Sequence, residues 1–248
     1  MKTLRNIISF LWKCWFTLIT SILVILIGVF WVFPLAFSDK TFPFAYKGIR
    51  LWAILVFYGC GFRLDFIQTK KLDPNQTYIS IANHTSVMDI MIMAIIHKKH
   101  PLVFVGKEEL AQLPIFGAIY RRICITVDRS NLRSRTHVYT AVKEKINQGN
   151  SIMIFPEGEI PDDTNLILQR FKDGAFSLSI STQTPLALYS IKGIKEMFPE
   201  SWIKGYPGKV KVKLLDIIST NHLSLADKNE LKDYCFQQIS AELTKHKK

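Results

Sequence analysis

The sequence has few cysteines, and they form no disulfide or metal-binding pattern. No C-x-x-C motif occurs, and the four cysteines lie far apart at Cys14, Cys60, Cys124 and Cys235. This spacing excludes a small disulfide-stapled domain and argues against a zinc finger. The motif G-x-S-x-G is also absent, which argues against a serine hydrolase. Without internal repeats or low-complexity linkers, 248 residues fit one large domain, or one domain with an appendage.

Acidic residues are too few to balance the basic ones. The chain has 32 Lys and Arg against 20 Asp and Glu, a formal charge of +12, yet 48% of its residues are hydrophobic. Its mean hydropathy is +0.15, which is high for so charged a protein. This combination favours contact with a membrane, and with an anionic one. The basic residues form no stripe interleaved with aromatics, so we do not expect a nucleic-acid partner.

A long apolar segment lies near the N-terminus. Residues 14–37 carry no ionisable group except the thiol of Cys14. At about 1.5 Å per residue, a helix of this length can cross a hydrocarbon core of about 30 Å. A cleavable signal peptide would have a shorter apolar core, of about 7–15 residues. We therefore predict a membrane anchor, with three tryptophans as interfacial residues near its ends: Trp12, Trp15 and Trp31.

A second apolar stretch covers residues 51–62. It is too short for a full span and suits an interfacial or re-entrant helix, or a helix of the core. The sequence does not decide between one full span and a hairpin that enters one leaflet. The numbers of basic residues before and after the long apolar segment are nearly equal, so they indicate no orientation. We assign residues 1–66 to N-terminal membrane-anchoring helices and residues 67–248 to a second domain.

In the second domain, short apolar runs alternate with amphipathic ones. Strands are predicted at 77–82, 102–105, 151–155, 184–191 and 210–218, and helices at 87–96, 135–148 and 223–244. Strands that alternate with helices indicate an α/β domain. We predict a mixed, largely parallel sheet flanked by helices and preceded by an N-terminal hydrophobic helix or helical hairpin.

A histidine and an aspartate, His84 and Asp89, follow the first of these strands. If Ser86 caps the next helix, Asp89 takes its third position and His84 lies in the turn just outside. An aspartate that binds one ring nitrogen fixes the tautomer and leaves the other nitrogen as a base for a hydroxyl that attacks an acyl group. The alternative is a capping box of Ser86 and Asp89, with His84 an ordinary loop residue. The spacing alone favours neither.

Two cations follow other apolar runs. Lys107 comes after the strand at 102–105, and Arg129 comes after residues 123–127. At the edge of a sheet they could hold a phosphate, the arginine through its planar fork and the lysine as a point charge. The isolated motifs favour the alternative of surface pairs with neighbouring carboxylates, which are Glu108 or Glu109 for the lysine and Asp128 for the arginine.

Two loop motifs complete the set. A sharp turn follows the strand at 151–155 and consists of Phe155, Pro156, Glu157 and Gly158. In such a turn a carboxylate and free backbone amides face one side, where they could bind a substrate hydroxyl or a cation. A plain polar turn is equally compatible. Residues 171–176 read Phe-Lys-Asp-Gly-Ala-Phe and lead into a helical pattern. The pair His97 and His100 has no third ligand nearby, so we interpret both as structural and expect no metal site.

Together these motifs resemble those of one family. His84-x-x-x-x-Asp89, Lys107-Glu-Glu-Leu, Val127-Asp-Arg129, Phe155-Pro-Glu-Gly158 and Phe171-Lys-x-Gly-Ala-Phe176 occur in the order and rough spacing of the PlsC-type 1-acyl-sn-glycerol-3-phosphate (lysophosphatidic acid) acyltransferases. The resemblance covers roughly residues 70–195. It implies a glycerophosphate-acyltransferase-like fold held at the inner, cytoplasmic membrane, with the catalytic domain on the cytoplasmic side.

The resemblance also implies a reaction. A fatty acyl group would pass from a coenzyme A or acyl-carrier-protein thioester to the sn-2 hydroxyl of lysophosphatidic acid, giving phosphatidic acid for phospholipid biosynthesis without a metal or bound cofactor. His84 would be the general base and Asp89 would orient it. Lys107, Arg129 and the Phe155-Pro156-Glu157-Gly158 turn would bind the acceptor's glycerol phosphate. We expect backbone amides of residues 83–86 or of Gly158 to polarise the thioester carbonyl.

The chain departs from the family pattern at two places. Where the family usually continues with Thr-Arg after F-P-E-G, this chain has Glu159 and Ile160, and Leu188 stands where a second proline is common. A buried phosphate dianion needs compensating charge. Either other cations supply it, namely Arg129, Lys107, Arg122 or Lys172, or the acceptor is another lysolipid, such as a lyso-amino-acid lipid. A non-enzymatic membrane-tethered lipid-binding protein is a further alternative, but it would have no use for His84 and Asp89 together.

Overall fold

The computed structural model describes residues 2–128, 132–161, 163 and 165–245, with the backbone alone at 132–135. Within this part of the chain the helices are α1 (Lys2–Leu23), α2 (Phe33–Leu35), α3 (Phe42–Gly59), α4 (Met88–Ile96), α5 (Phe116–Ile123), α6 (Leu132–Asn147), α7 (Gly174–Thr182), α8 (Ile194–Met197) and α9 (Lys228–Thr244). The strands are β1 (Arg63–Gln68), β2 (Ile79–Ala82), β3 (Leu102–Lys107), β4 (Cys124–Val127), β5 (Ser151–Ile154), β6 (Leu186–Lys192) and β7 (Lys209–Ile218). A π-helical segment, Val24–Val32, joins α1 to α2, and short 3-10 segments lie at Glu108–Gln112 and Leu225–Asp227.

The strands form one mixed sheet in the order β1-β7-β6-β2-β5-β3-β4. β6 and β7 are antiparallel, and the other neighbours in this order run parallel. The predicted fold, a largely parallel mixed sheet with flanking helices, is confirmed. Among the described elements, β1, β4, α2, α5 and α8 were not predicted from the sequence, and α7 was expected only as a helical pattern without bounds. α1 and α3 begin well before the apolar stretches that indicated them. The other strands and helices lie within a few residues of their predicted bounds.

The sheet separates two hydrophobic cores. One core contains side chains of α3 and α4, such as Phe57 and Met93, and the other contains side chains of α6, α7 and α9, such as Phe176. The central strand β2 is buried along its whole length, because its alternate residues point into both cores. This two-sided burial is why the strand reads as a continuous apolar run rather than as an alternating one.

β2 and β5 lie side by side in the middle of the sheet. The chain leaves β2 for α4, in one core, and passes β5 on its way to α7, in the other. Where adjacent parallel strands lead to opposite faces, a crevice opens at the carboxyl edge of the sheet, and ligands of α/β proteins bind there. The topology therefore places the segments after β2 and β5 at one crevice.

The N-terminal segment forms a continuous helix, Lys2–Leu35, through α1, the π-helical turns and α2. It is the one helix in the described chain that is long and apolar enough to cross a membrane, and only 17% of its most apolar window is buried. Its tryptophan N–H groups all bond within the protein: Trp12 donates to Cys60 O, Trp15 to Gly59 O and Trp31 to Phe44 O. The tryptophans predicted as interfacial anchors therefore also fasten this helix to α3 and its end.

The second apolar stretch lies mostly in α3 and is a helix of the core. Ala53, Val56 and Phe57 are buried in the hydrophobic core that contains side chains of α3 and α4. β1 follows directly and pairs with β7, so the predicted domain boundary after residue 66 falls inside a strand. The sequence of β1 did not predict a strand because it lies at the sheet edge and its side chains are half-buried or exposed.

Candidate active site

His84 and Asp89 are in contact where β2 passes into α4. His84 Nδ1 lies 3.0 Å from Asp89 Oδ2. The same oxygen accepts hydrogen bonds from the amides of Thr85 and Ser86, at 2.6 and 2.9 Å. Asp89 is fully buried, whereas the His84 side chain keeps 15% of its surface exposed. The buried carboxylate therefore organises the whole turn and holds the imidazole by Nδ1, and the described residues offer Nε2 no hydrogen-bond partner.

The helix after this turn starts one residue later than predicted. Val87 precedes the first helical residue, Met88, so Asp89 takes the second helical position rather than the third. The Ser86 hydroxyl donates to Phe198 O at 3.0 Å, in a distant loop, and its oxygen accepts from Met88 N at a long 3.4 Å. The predicted cap position is wrong by one residue, because the cap residue is Val87, which provides no side-chain hydrogen bond to the helix.

Phe155 packs flat on the imidazole of His84. The two ring centroids are 4.0 Å apart and the rings are inclined by 13°. Phe155 follows β5, the strand that pairs with β2, so the parallel sheet brings both residues to the same edge. The stack restricts rotation of the imidazole out of its plane with Asp89.

Glu157 is buried, and backbone amides bind both of its carboxylate oxygens. His84 N donates to Oε1 at 2.6 Å, and Gln169 N donates to Oε2 at 2.8 Å. Burial raises the pKa of Glu157 to about 7, and the two hydrogen bonds oppose that rise. The sequence indicated that this carboxylate could bind a substrate hydroxyl or a cation, and that role stays a prediction. In the structure its two hydrogen bonds join the segments that follow β2 and β5.

Gly158 and Lys172 form a close contact beside this turn. Gly158 has φ +89°, and a Cβ atom there would lie 2.7 Å from Lys172 Nζ and 2.9 Å from its Cδ. Lys172 N also donates to Pro156 O at 2.8 Å. The lysine stem thus lies across the glycine, and the positive φ of Gly158 is a conformation that favours a residue without a side chain. Asp173, the next residue, forms ion pairs with Lys228 and Lys232 of α9 and so fixes this loop to the domain.

Lys107 ends β3 and faces the same turn. Its Nζ lies 4.0 Å from Glu159 Oε2, and both side chains are about half exposed. Among the described residues Lys107 forms its ion pair with Glu159, rather than with the predicted Glu108 or Glu109. The residue that replaces the family's threonine therefore offsets part of the positive charge of Lys107.

Two further predicted cations are Arg122 and Arg129. Arg129 lies outside the described residues, and its predicted role stays a prediction. The guanidinium carbon of Arg122 lies 4.3 Å from the centroid of the Phe37 ring, near the end of the N-terminal helix. Lys107 and Lys172 are thus the predicted cations that the described structure places on the Phe155–Gly158 turn.

The backbone amides predicted to polarise a thioester carbonyl are already in use. His84 N binds Glu157, Thr85 N and Ser86 N bind Asp89, and Gly158 N donates to Phe155 O. The prediction is wrong for these four amides, because the turns use them for their own folding. Other donors must stabilise any oxyanion formed here.

His97 belongs to the core rather than to this site. Its Nδ1 donates to Met93 O at 2.9 Å, and its Nε2 lies 3.1 Å from the hydroxyls of Ser80 and Tyr189. Burial lowers the pKa of His97 to about 4. These contacts agree with a structural role for this histidine.

A cleft of about 200 Å³ adjoins the turn between β2 and α4. Ser86, Val87 and Ile160 line it, together with Phe16 of α1 and Trp202. The loop after α8, which contains Trp202, supplies part of the wall. Sequence reasoning missed that loop entirely, since it follows the last recognisable motif and carries no chemical pattern.

Comparison with known proteins agrees with the motifs. The family model described as Acyltransferase matches residues 63–192, which is more than half of the chain and includes β1 to β6. The chain belongs to the acyltransferase family. The resemblance to PlsC-type enzymes drawn from the motifs is confirmed, and the matched region of this acyltransferase contains His84, Asp89 and the Phe155–Gly158 turn.

Several relatives carry names of one activity. The acyltransferase is 31% identical over 186 residues to a Caenorhabditis elegans protein named as a candidate 1-acyl-sn-glycerol-3-phosphate acyltransferase, covering 72% of this chain and 64% of that one. It is 27% identical over 192 residues to human 1-acyl-sn-glycerol-3-phosphate acyltransferase beta, covering 76% and 68%. The chain thus spans about two thirds of the length of these relatives.

A solved structure shares the fold over almost the whole chain. The crystal structure of the 1-acyl-sn-glycerophosphate (LPA) acyltransferase PlsC from Thermotoga maritima superposes with a TM-score of 0.79 at 22% sequence identity. The match covers 98% of the acyltransferase and 96% of that protein. The shared architecture therefore includes the N-terminal helices as well as the sheet.

Proposed function

We propose that this acyltransferase moves a fatty acyl group from an acyl thioester to the sn-2 hydroxyl of 1-acyl-sn-glycerol-3-phosphate, giving phosphatidic acid. The observation that carries the proposal is the contact of His84 Nδ1 with the buried carboxylate of Asp89 at 3.0 Å. This contact fixes a proton on Nδ1 and leaves Nε2 as a base. The names of the relatives support the choice of acceptor.

The reaction follows from this geometry as one direct transfer. His84 Nε2 removes the proton of the acceptor hydroxyl while its oxygen attacks the thioester carbonyl carbon. The tetrahedral oxyanion collapses, the carbon–sulfur bond breaks, and the leaving thiolate takes the proton from the imidazolium. Asp89 stabilises the imidazolium charge during these steps. Phe155 keeps the ring in plane, and Glu157 holds the backbone of His84.

The acceptor phosphate would bind beside the Phe155–Gly158 turn. We infer that Lys172 supplies much of the positive charge there, because it lies across Gly158. Lys107 contributes less, since Glu159 offsets it. β4 ends at the same carboxyl edge of the sheet, and we propose that Arg129, two residues further along the sequence, adds its charge there.

The donor and the cellular location are also parts of the proposal. Coenzyme A and acyl carrier protein are both acidic donors that suit a chain of charge +12. Base-assisted transfer from a thioester needs no metal and no resident cofactor. We propose that the helix Lys2–Leu35 holds the enzyme at the inner, cytoplasmic membrane, with the active site on the cytoplasmic side, where its lipid acceptor is present.

A second candidate function keeps the chemistry and changes the acceptor. Glu159, 4.0 Å from Lys107, places a carboxylate where a head group would bind, and Ile160 adds no charge. A lysolipid with an amino group in its head group, such as a lyso-amino-acid lipid, would complement this carboxylate. The ion pair between Glu159 and Lys107 is the observation that favours this acceptor.

One assay tests both candidates. Purified protein in anionic vesicles is given acyl-coenzyme A or acyl carrier protein with lysophosphatidic acid, a lysophosphatidylethanolamine and a lyso-amino-acid lipid. Transfer to lysophosphatidic acid above the others supports the first proposal, and preference for an amino head group replaces it with the second. His84→Ala should lose nearly all transfer, whereas His137→Ala, at an exposed position on α6, should keep it. Equal transfer by both variants would remove His84 from the role of base.

A further inference from the structure

The loop after α8 exposes a group of large apolar side chains. Trp202, Ile203 and Tyr206 lie within five residues of one another, and each exposes about half of its surface. Lys204 lies between them and is also exposed. We define residues 199–206 as the apolar loop. Exposure of this much aromatic and aliphatic surface on a short segment is typical of an interaction site.

The apolar loop is held in one conformation against α1. Ser9 Oγ donates to Gly205 O at 2.9 Å, and Lys13 Nζ donates to Pro199 O. A Cβ atom on Gly205, whose φ is +125°, would lie 2.8 Å from Met197 O. The loop is thus held by α1 and packs closely against Met197. Its apolar side chains are therefore exposed on a segment whose backbone is held in place.

The exposed surface of the loop continues onto α1. The rings of Phe10 and Trp202 lie 6.2 Å apart. Beyond Phe10, the outer face of the N-terminal helix exposes further large apolar side chains, which include Ile7, Leu11, Trp15, Leu18 and Ile22. Loop and helix thus form one apolar surface from residues that are far apart in sequence.

The chemistry of this surface matches a lipid bilayer. Tryptophan and tyrosine are the side chains that favour the boundary between hydrocarbon and head groups, and lysine can keep its amino group in the head-group layer. Lys2, Arg5 and Lys204 are exposed at this end of the molecule, and such cations favour anionic lipid. A protein partner would not require this continuity with a helix that is apolar enough to cross a membrane.

We propose that the apolar loop inserts into the head-group region of an anionic bilayer beside α1. This inference rests on the membrane attachment given under the proposed function. It adds that the catalytic domain touches the bilayer itself, through a segment outside the N-terminal helices. Trp202 also lines the cleft that Ser86, Val87 and Ile160 line beside the turn between β2 and α4. Insertion of the loop therefore places one wall of this cleft at the lipid surface.

Tryptophan quenching tests the insertion directly. The full chain is bound to vesicles of phosphatidylcholine and phosphatidylglycerol, with or without bromine on the acyl chains, as wild type, Trp202→Phe and Trp15→Phe. The difference in emission between wild type and Trp202→Phe gives the contribution of Trp202, and bromolipid should quench this contribution. The contribution of Trp15 of α1, obtained in the same way from Trp15→Phe, should be quenched as well. If only the Trp15 part is quenched, the loop lies in water and the inference is overturned while the anchor stands. If neither part is quenched, the membrane attachment of the proposed function fails as well.

A kinetic comparison gives an independent readout. The double variant Ile203→Ser, Tyr206→Ser changes loop residues that do not line the cleft. A matched control, Leu225→Ser with Tyr139→Ser, removes exposed side chains elsewhere, 59% and 38% exposed. The loop variant should raise KM for a long-chain acceptor in vesicles by roughly tenfold, since about 1.4 kcal/mol of apolar burial is lost, and should leave the rate with a short-chain soluble acceptor unchanged. Equal KM values for the loop and control variants would overturn the inference.

Discussion

The carboxylate of Glu157 accepts a hydrogen bond of 2.6 Å from the backbone amide of His84. The two residues come from turns after adjacent parallel strands, β5 and β2. Their contact joins the F-P-E-G motif to the H-x-x-x-x-D motif through a buried ionisable group. The position of the imidazole therefore depends on a residue that need not touch substrate.

Burial of Glu157 predicts an unusual dependence of stability on pH. Burial raises the pKa of Glu157 from 4.5 to about 7, so between these values the native protein holds a proton that the unfolded chain has released. Stability should therefore fall as pH rises from about 4.5 to about 7, by at most about 3 kcal/mol from this group. Glu157→Gln cannot titrate and should lack this decline. Chemical denaturation in detergent at several pH values measures the free energy of unfolding of both proteins. Glu159→Gln, at a half-exposed side chain, serves as the control. A constant difference in unfolding free energy between wild type and Glu157→Gln would contradict the prediction.

The charge of Asp89 can be removed without loss of its contacts. Its Oδ1 has no hydrogen-bond partner among the described residues, so the NH2 group of Asp89→Asn can occupy that side while the amide oxygen keeps the bonds of Oδ2. We expect kcat to fall by about 10²–10⁴, because the imidazolium loses its counter-charge. Circular dichroism should show an intact fold, and Asp65→Asn, at a surface ion pair with Lys209, should keep wild-type kcat. A kcat above a tenth of the wild-type value would show that the charge is not needed.

The stack of Phe155 on His84 should affect kcat more than KM. Phe155→Leu keeps apolar volume but removes the ring that lies 4.0 Å from the imidazole. An aromatic pair is worth about 0.5–1.5 kcal/mol beyond its buried area, so we expect kcat to fall by up to about tenfold. Phe155→Tyr retains the ring and should recover most of the rate. Steady-state kinetics with lysophosphatidic acid measure both constants, and a change confined to KM would instead mean a role in acceptor binding.

The sequence predicted the parts of the site that depend on strand ends. His84, Lys107 and Phe155 each follow a short apolar run, and parallel strands bring their carboxyl ends to one edge of the sheet. Taken singly, these motifs did not decide between a site and ordinary surface loops, and the order and spacing they share with one family predicted the three residues together. The spacing of His84 and Asp89 allows a contact within one turn but did not decide between that contact and a capping box.

The remaining contacts could not be predicted, because they join segments with no shared pattern. Ser9 and Gly205 are 196 residues apart, and nothing in either segment predicts their hydrogen bond. Ser86 was predicted as a helix cap from a local rule, which does not predict that its hydroxyl also donates to Phe198 O, 112 residues away. The amides of the two turns looked free because the sequence does not show which buried carboxylates will bind them.

Lys172 should carry part of the affinity for the acceptor phosphate. Its stem lies across Gly158, and among the described residues it forms no ion pair that would offset its charge. Lys172→Met keeps most of the stem and removes the charge, so KM for lysophosphatidic acid should rise by roughly tenfold with little change in kcat. Lys209→Met, at a lysine 60% exposed on β7, serves as the control. If KM rises equally for an uncharged monoacylglycerol acceptor, the effect is one of packing rather than of charge.

Ile160 provides the opposite test, in which charge is added. It lines the cleft together with Ser86 and Val87, and the family pattern has an arginine at this position. If the acceptor phosphate binds here, Ile160→Arg should lower KM for lysophosphatidic acid several-fold, and Glu159→Thr in addition should lower it further by freeing Lys107 from its ion pair. If the native acceptor instead carries an amino group, the same two changes should weaken its binding, because they remove a carboxylate and add a cation. Both lipids, lysophosphatidic acid and a lyso-amino-acid lipid, are offered in one vesicle, and the ratio of the two acylated products is measured for wild type and variants. An unchanged ratio of the two products would show that positions 159 and 160 do not contact the head group of either lipid.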